Sequence, residues 1–502
     1  VLDDVPAVVE NENAAWPPDP GGILTTDYWG NRDGYELTIY RPLATLSFSL
    51  IDGLPFSEGA KPGAQRLVNI LLHIFASFLV FHLLSRLGAG QLASSIGGFI
   101  FLLHPVHSEV VLGVVNRAEI LTAVWFFLAL ANHLRWKQEG RNAVATAAAG
   151  YLLLSLALLS KENGATLVPA IILIELYSRF KGTPRDKLAP LWLHFGNVAI
   201  LVAYLGLRWA VLPDVLSGSL SAADNPILGA DFLSRWATPF NLVARYLYLM
   251  VLPLNLTVDY SLNHVPVVGL LDPLAWAGFF ASLWMLFILF RARSALIPSL
   301  VIMLIASYSV VSNLVFLSTI IMAERLIYLP SAFITGIAVV YLADLAKSRP
   351  VFRRALTVLV PIVLILFAAG NIARIPDWKT PMSLARASVL AAPDSAKSRH
   401  LLAIEYHNAG RVGEALEQYH QTVQIDDSNH LAHTNFGVLL LTQGNFGEAA
   451  RECNRALELT KGRSRRARSC FCNIPWRPAD KGIWGRWCAD LPGTTENMDG
   501  AK

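Results

Sequence analysis

The sequence is short of charge. Only 16% of its 502 residues are Asp, Glu, Lys or Arg, where a soluble domain carries about a quarter. That excludes an ordinary soluble globular fold. The net charge of +4 is small and dispersed, so no basic patch points to nucleic acid. Cysteine is scarce as well. Cys453, Cys470, Cys472 and Cys488 all lie near the C-terminus, with no paired CxxC spacing for zinc, and they say nothing of redox state. The first residues, "VLDDVPAVVENEN", are not those of a signal peptide.

Apolar sequence is what remains: 54% of residues are hydrophobic and the mean hydropathy is +0.45. Spans of about 20 apolar residues are the unit of a membrane-crossing helix. Ten are expected, at 67–87, 92–104, 119–136, 144–160, 164–180, 189–212, 269–290, 296–317, 326–346 and 355–373. The segment 237–254 is apolar too, but Arg245 interrupts it and Pro253 ends it, so it reads as a helix along the interface.

The basic turns then sort themselves. Arg135, Lys137 and Arg141; Arg179, Lys181, Arg185 and Lys187; Arg291 and Arg293; and Lys347, Arg349, Arg353 and Arg354 fall on one face, the cytosolic one by the positive-inside rule. The opposite face receives 1–66, 105–118, 161–163, 213–268, 318–325 and everything after 373. A further span ahead of residue 1 is expected from this parity.

After a linker and cap helix over 374–395, residues 396–462 repeat. Ala403 matches Gly437, Gly410 matches Gly444, Ala415 matches Ala449 and Tyr419 matches Cys453, an offset of 34. Small residues where paired helices cross, with glycine at the turn, make the tetratricopeptide pattern. The tail, 463–502, has no helical period and reads as irregular. The expected fold is therefore an all-α polytopic membrane bundle, with an outer loop over 1–66 and a body over 67–373, followed by a short α-solenoid.

Polar residues concentrate on the outer face, where loops meet apolar helices. Asp3 and Asp4 open the chain. "RPLATLSF" supplies Arg41. "HPVHSE" supplies His104, His107 and Glu109. "NRAE" supplies Arg117 and Glu119. "KENG" supplies Lys161 and Glu162. "AERLIYLPS" supplies Glu324, Arg325 and Tyr328. Charges in an apolar setting cost about 2.5–3.5 kcal/mol each at mid-bilayer, so a one-sided set implies a polar cavity opening outward.

Such a cavity suits a substrate with a charged head and a lipid tail, with a lipid-linked phosphate as the natural candidate. Sugar transfer from one needs a carboxylate to take the acceptor's proton, a path through oxocarbenium character and fixed donors for the leaving phosphate. Asp3 or Asp4 fits the base. Arg325, Lys161 and a histidine fit the phosphate. Each has a plainer alternative: solvated aspartates, interfacial histidines with Glu109 or a metal site formed by them, a snorkelling Arg325 and a helix-end Lys161–Glu162 pair.

"DDVPAVVENEN", "YRPLATLSF", "HPVHSEVVLGVVNRAEIL", "KENGATL", "ADNP" and "AERLIYLPS", followed by the repeats, resemble the transmembrane and tetratricopeptide-repeat O-mannosyltransferases (TMTC proteins). The resemblance runs to about residue 460, and 208–261 is similar to that family's central domain. It implies the GT-C fold of lipid-dependent glycosyltransferases, with Asp3 and Asp4 as the catalytic acidic pair of the first outer loop. It also implies a polyprenyl (dolichyl) phosphate mannose donor, a protein Ser or Thr acceptor and no nucleic acid. A divalent metal is not demanded by the sequence. The membrane would be that of the endoplasmic reticulum in a eukaryote and the plasma membrane in a bacterium. The repeat array is shorter than in animal members. A membrane scaffold whose repeats recruit a partner is the rival reading, and a transporter is disfavoured by the one-sided charges.

Overall fold

The computed structural model describes residues 4–30, 39–139, 142–182, 189–212, 224–260, 264–292, 295–474 and 488. Among these residues it is helical throughout, with no strand. Seven helices are long and apolar enough to cross a membrane: Lys61–Arg86, Val114–Lys137, Ala143–Ser160, Leu191–Val211, Pro273–Arg291, Glu324–Ser348 and Pro350–Trp378. An eighth arises if the bent pair Gln91–Leu103 and Pro105–Leu112 counts as one span. The remaining two expected spans form shorter helices, Leu167–Phe180 and Leu296–Ser309.

Hydropathy overstated the length of 296–317 because the apolar run outlasts the helix. Beyond Ser309 the chain turns through Asn313, at φ +56°. The Asn313 side chain accepts from the Ser318 amide (2.9 Å) and donates to the Ile321 carbonyl (3.0 Å). Asn225, from "ADNP", donates to Asn313 Oδ1 (2.8 Å) and to the Ser318 carbonyl (2.7 Å). Two buried amides thus satisfy backbone groups that a helix would have paired with itself.

The helices alternate in direction, so their ends segregate. At one end, Lys137 donates to Glu175 (2.7 Å), Glu175 accepts from the Ala189 amide (3.2 Å), and Lys181 reaches the Phe290 carbonyl (3.5 Å). Three of the four basic turns, those near Lys137, Lys181 and Arg291, therefore adjoin. The other end holds the candidate functional residues. The helix Phe232–Val251 bonds to residues of this end. Its Asn241 donates to Asp272 (2.8 Å), its Tyr246 hydroxyl to the Ala323 carbonyl (3.1 Å), and its Met250 carbonyl bonds His104 (3.0 Å). These contacts tie it to the start of Pro273–Arg291, to the residue before the turn Glu324–Ile327 and to the end of Gln91–Leu103. Gly278 permits the approach, since a Cβ there would lie 1.9 Å from the Phe240 carbonyl oxygen.

The repeats fold as the antiparallel pairs Ala396–Asn408 with Val412–Ile425 and His430–Thr442 with Phe446–Thr460. Gly410 and Gly444 take positive φ at the turns (+70° and +76°), where only glycine adopts that backbone freely. Pro381–Ala391 precedes them, capped by Thr380 and Ser383. The tail departs from expectation. Arg465–Cys472 is a helix, capped by Ser464, with Ala467, Cys470 and Phe471 buried. Their i, i+3, i+4 spacing makes one apolar face, too short to register as a period. Cys453 pairs with Cys470 and Cys472 with Cys488.

Candidate functional site

Four of the polar motifs sit on the same local device. His104, Gly113, Lys161 and Ala323 are extended residues that end one segment. A single 3-10 turn follows each: Pro105–His107, Val114–Asn116, Glu162–Thr166 and Glu324–Ile327. The next α-helix starts directly after. Orphan amides and side chains at such starts face the same end of the bundle. Gly164 lets one turn fold tightly, since a Cβ there would meet the Ala157 backbone at 2.6 Å.

The candidates fall into two groups. In the first, Lys161 forms a buried ion pair with Glu119, and Arg41 Nη2 lies 3.1 Å from Glu162 Oε1. Burial raises the Glu162 carboxyl, but the Arg41 and Lys161 cations overcome this and hold it down to about 2. Lys161 is lowered by burial, against the attraction of Glu119. The Arg41 guanidinium also lies 5.4 Å from the centroid of the Tyr28 ring.

Asp4 and Arg117 adjoin this group. The Asp4 carboxylate accepts from the Val115 amide (2.8 Å), and the Tyr28 hydroxyl donates to the Val115 carbonyl (2.9 Å). The outer loop thereby grips one peptide residue from both sides, one turn before Glu119. Arg117 is wholly buried. It donates to Asn69 (2.7 Å), to the Ser47 carbonyl and hydroxyl (3.2 Å each), and to the Gln65 carbonyl (2.8 Å) and side chain (2.6 Å). Those bonds commit it to holding the loop helix Pro42–Asp52 to Lys61–Arg86. Asp3 lies outside the described residues.

The second group surrounds Glu109. Its carboxylate pairs with the Arg325 guanidinium and accepts from the Arg325 amide (2.9 Å). His104 bonds the Met250 carbonyl and the Val106 amide, while His107 bonds the Phe101 carbonyl (2.8 Å) and Ser331 hydroxyl (2.9 Å). All four imidazole nitrogens thus have protein partners. Among the described residues no three His, Cys, Asp or Glu side chains gather as a metal site. Glu324 accepts from the Thr257 amide (2.8 Å) and the Tyr260 hydroxyl (2.9 Å), tying the central segment to the body.

Tyr328 lies between the groups. Its hydroxyl bonds His73 (2.7 Å), its ring lies 4.9 Å from that of His107, and Glu119 is within electrostatic reach. Sequence reasoning missed His73, Tyr204, Arg208, Tyr246 and Arg374. Arg374 donates to the Leu256 carbonyl (2.7 Å) and lies 3.8 Å from Asp377. Arg208 could have been noticed, as a lone cation in the last turn of an apolar helix.

Fold and site together define an all-α polytopic membrane protein with its two candidate charge groups gathered at one end of the bundle. The chain is similar to the TMTC proteins. It is 26% identical over 469 residues to human protein O-mannosyl-transferase TMTC3, covering 87% of this chain and 50% of the relative. It is 25% identical over 486 residues to human protein O-mannosyl-transferase TMTC1 (88% and 54%). With mouse protein O-mannosyl-transferase TMTC4 it shares 26% identity over 470 residues (84% and 63%). The chain spans about half the length of the human relatives. No family model and no solved structure matches it.

Proposed function

We propose that the protein transfers a sugar, mannose by analogy with its relatives, from a polyprenyl phosphate to a Ser or Thr hydroxyl on the non-cytosolic face of the membrane. The observation that carries this reading is the Asp4 carboxylate, held on the Val115 amide one turn of chain before Glu119, which pairs with Lys161. A carboxylate beside fixed cations is what the transfer needs. The acceptor oxygen bonds to the anomeric carbon as the bond from that carbon to the phosphate oxygen breaks. The phosphate departs with the electron pair, and the hydroxyl proton passes to the carboxylate of Asp4 or Asp3.

Sidedness is supported by the basic turns at the far end, and by the two disulfides of the last repeat and the tail, which suit an oxidising compartment. The repeats would present the protein acceptor. The reaction is checked by incubating membranes containing the protein with labelled dolichyl or undecaprenyl phosphate mannose and identifying hexosylated products by mass spectrometry. Asp4→Asn should lower transfer by about 100-fold. Undiminished transfer by an Asp3→Asn, Asp4→Asn double variant would refute the base.

A further inference from the structure

The helix Leu191–Val211 ends beside the first charge group with Tyr204 and Arg208 on one face, four residues apart. Tyr204 lies within electrostatic reach of Glu162, Arg208, Arg41 and Tyr40. Among the described residues, three polar atoms here are buried and have no hydrogen-bond partner: Arg41 Nε, Tyr204 Oη and Arg208 Nε. Buried polar atoms are nearly always satisfied, so three in one cluster mark an absent ligand. Both Nε–H groups only donate, and the tyrosine hydroxyl can donate. The missing partner is therefore rich in acceptor oxygens.

Charge agrees with this. Arg41, Lys161 and Arg208 are three cations, against the two carboxylates Glu119 and Glu162, which leaves one positive charge for a ligand to neutralise. A phosphodiester carries one negative charge. Val202 (62%), Leu205 (50%) and Trp209 (65%) on the same helix are exposed on the bundle's apolar surface, so a lipid tail can lie along this helix. A free phosphate ion would not approach through hydrocarbon, whereas a lipid phosphate already lies there.

We propose that Arg208 and Tyr204, together with Arg41, form the seat of a lipid-borne phosphate entering sideways past the end of the helix Leu191–Val211. The assignment rests on the transferase reading for the identity of the lipid and deepens it. It moves the phosphate from Arg325, which bonds Glu109, to a set of unsatisfied donors. Lys161 then acts as the neighbouring charge, paired with Glu119.

The full chain in lipid nanodiscs is titrated with undecaprenyl phosphate, inorganic phosphate or phosphatidylglycerol, and bound lipid is read by native mass spectrometry. Undecaprenyl phosphate should bind saturably. Arg208→Gln should weaken it by at least about tenfold and Tyr204→Phe by about threefold, given the worth of hydrogen bonds to charged groups. Leu207→Ala, on the same helix but turned away from Val202, Leu205 and Trp209, should bind as the parent does, and equal melting temperatures exclude misfolding. Unchanged affinity in Arg208→Gln would overturn the assignment, as would inorganic phosphate competing equally well. Phosphatidylglycerol binding as tightly would overturn the polyprenyl specificity. Sugar transfer that persists in Arg208→Gln with unchanged donor KM would sink the assignment and leave the transferase reading standing. Arg208-dependent lipid binding by a chain that transfers nothing would do the reverse.

Discussion

Arg325 bonds Glu109 twice, once through its guanidinium and once through its own backbone amide. The carboxylate is buried, while the Arg325 side chain is 29% exposed. Glu109 thus shapes the 3-10 turn that starts the helix Tyr328–Ser348, besides neutralising a cation. Glu109→Gln keeps one acceptor oxygen but loses the charge. It should cost about 2 kcal/mol, read as a lower melting temperature in detergent. Arg325→Gln, which spares the amide bond, should cost less. Equal losses would mean that the backbone contact contributes nothing.

Arg117 is a cation with no carboxylate among the five acceptors it meets on Asn69, Ser47 and Gln65. Its guanidinium also lies 4.7 Å from the Phe48 ring centroid. A planar fork reaching three residues is not replaced by an ammonium. Arg117→Met should destabilise by about 3 kcal/mol, and Arg117→Lys should recover less than half of that. Full rescue by lysine, in thermal unfolding, would show that charge alone matters there.

The polar motifs were legible because each interrupts an apolar run, and a charged residue in such a run needs a reason. The repeats were legible because small residues recur at 34 positions' distance. Which helix ends adjoin was not legible. "HPVHSE" and "KENG" look equivalent in sequence, yet Glu109 meets Arg325 and Lys161 meets Glu119. The single expected vestibule is two groups joined through Tyr328 and His73. In sequence, Tyr204 and Arg208 are an aromatic and a cation near a span's end, the composition of ordinary interfacial anchors. Only the neighbours brought by the fold set them apart.

Glu162 gives the stability a pH dependence whose sign can be worked out. Its carboxyl is held at about 2, below the ordinary 4.5. A depressed folded-state value stabilises the protein above the unfolded value, and that contribution is lost as pH falls through the folded one. The wild-type melting temperature should therefore decline between about pH 4.5 and about pH 2 more steeply than that of Glu162→Gln. Identical slopes for the two proteins would show that the Arg41–Glu162 pair is not formed in solution.

The repeats are fastened to the central segment by two contacts of unequal strength. Ser395 donates to Asp259 (2.5 Å) with both groups buried. Lys397 pairs with Asp224 (2.9 Å) with side chains 51% and 37% exposed. Exposed pairs contribute little, whereas a buried bond to a carboxylate contributes about 2 kcal/mol. Asp259→Ala should therefore loosen the array and speed proteolysis within 374–395, while Lys397→Ala should change it by no more than about twofold. If the array orients a protein acceptor, Asp259→Ala should slow sugar transfer to a folded acceptor more than to a short Ser/Thr peptide. Equal slowing with both would mean that the contact props up the body and has no part in presenting the acceptor, since Asp259 lies two residues beyond Thr257, whose amide bonds Glu324.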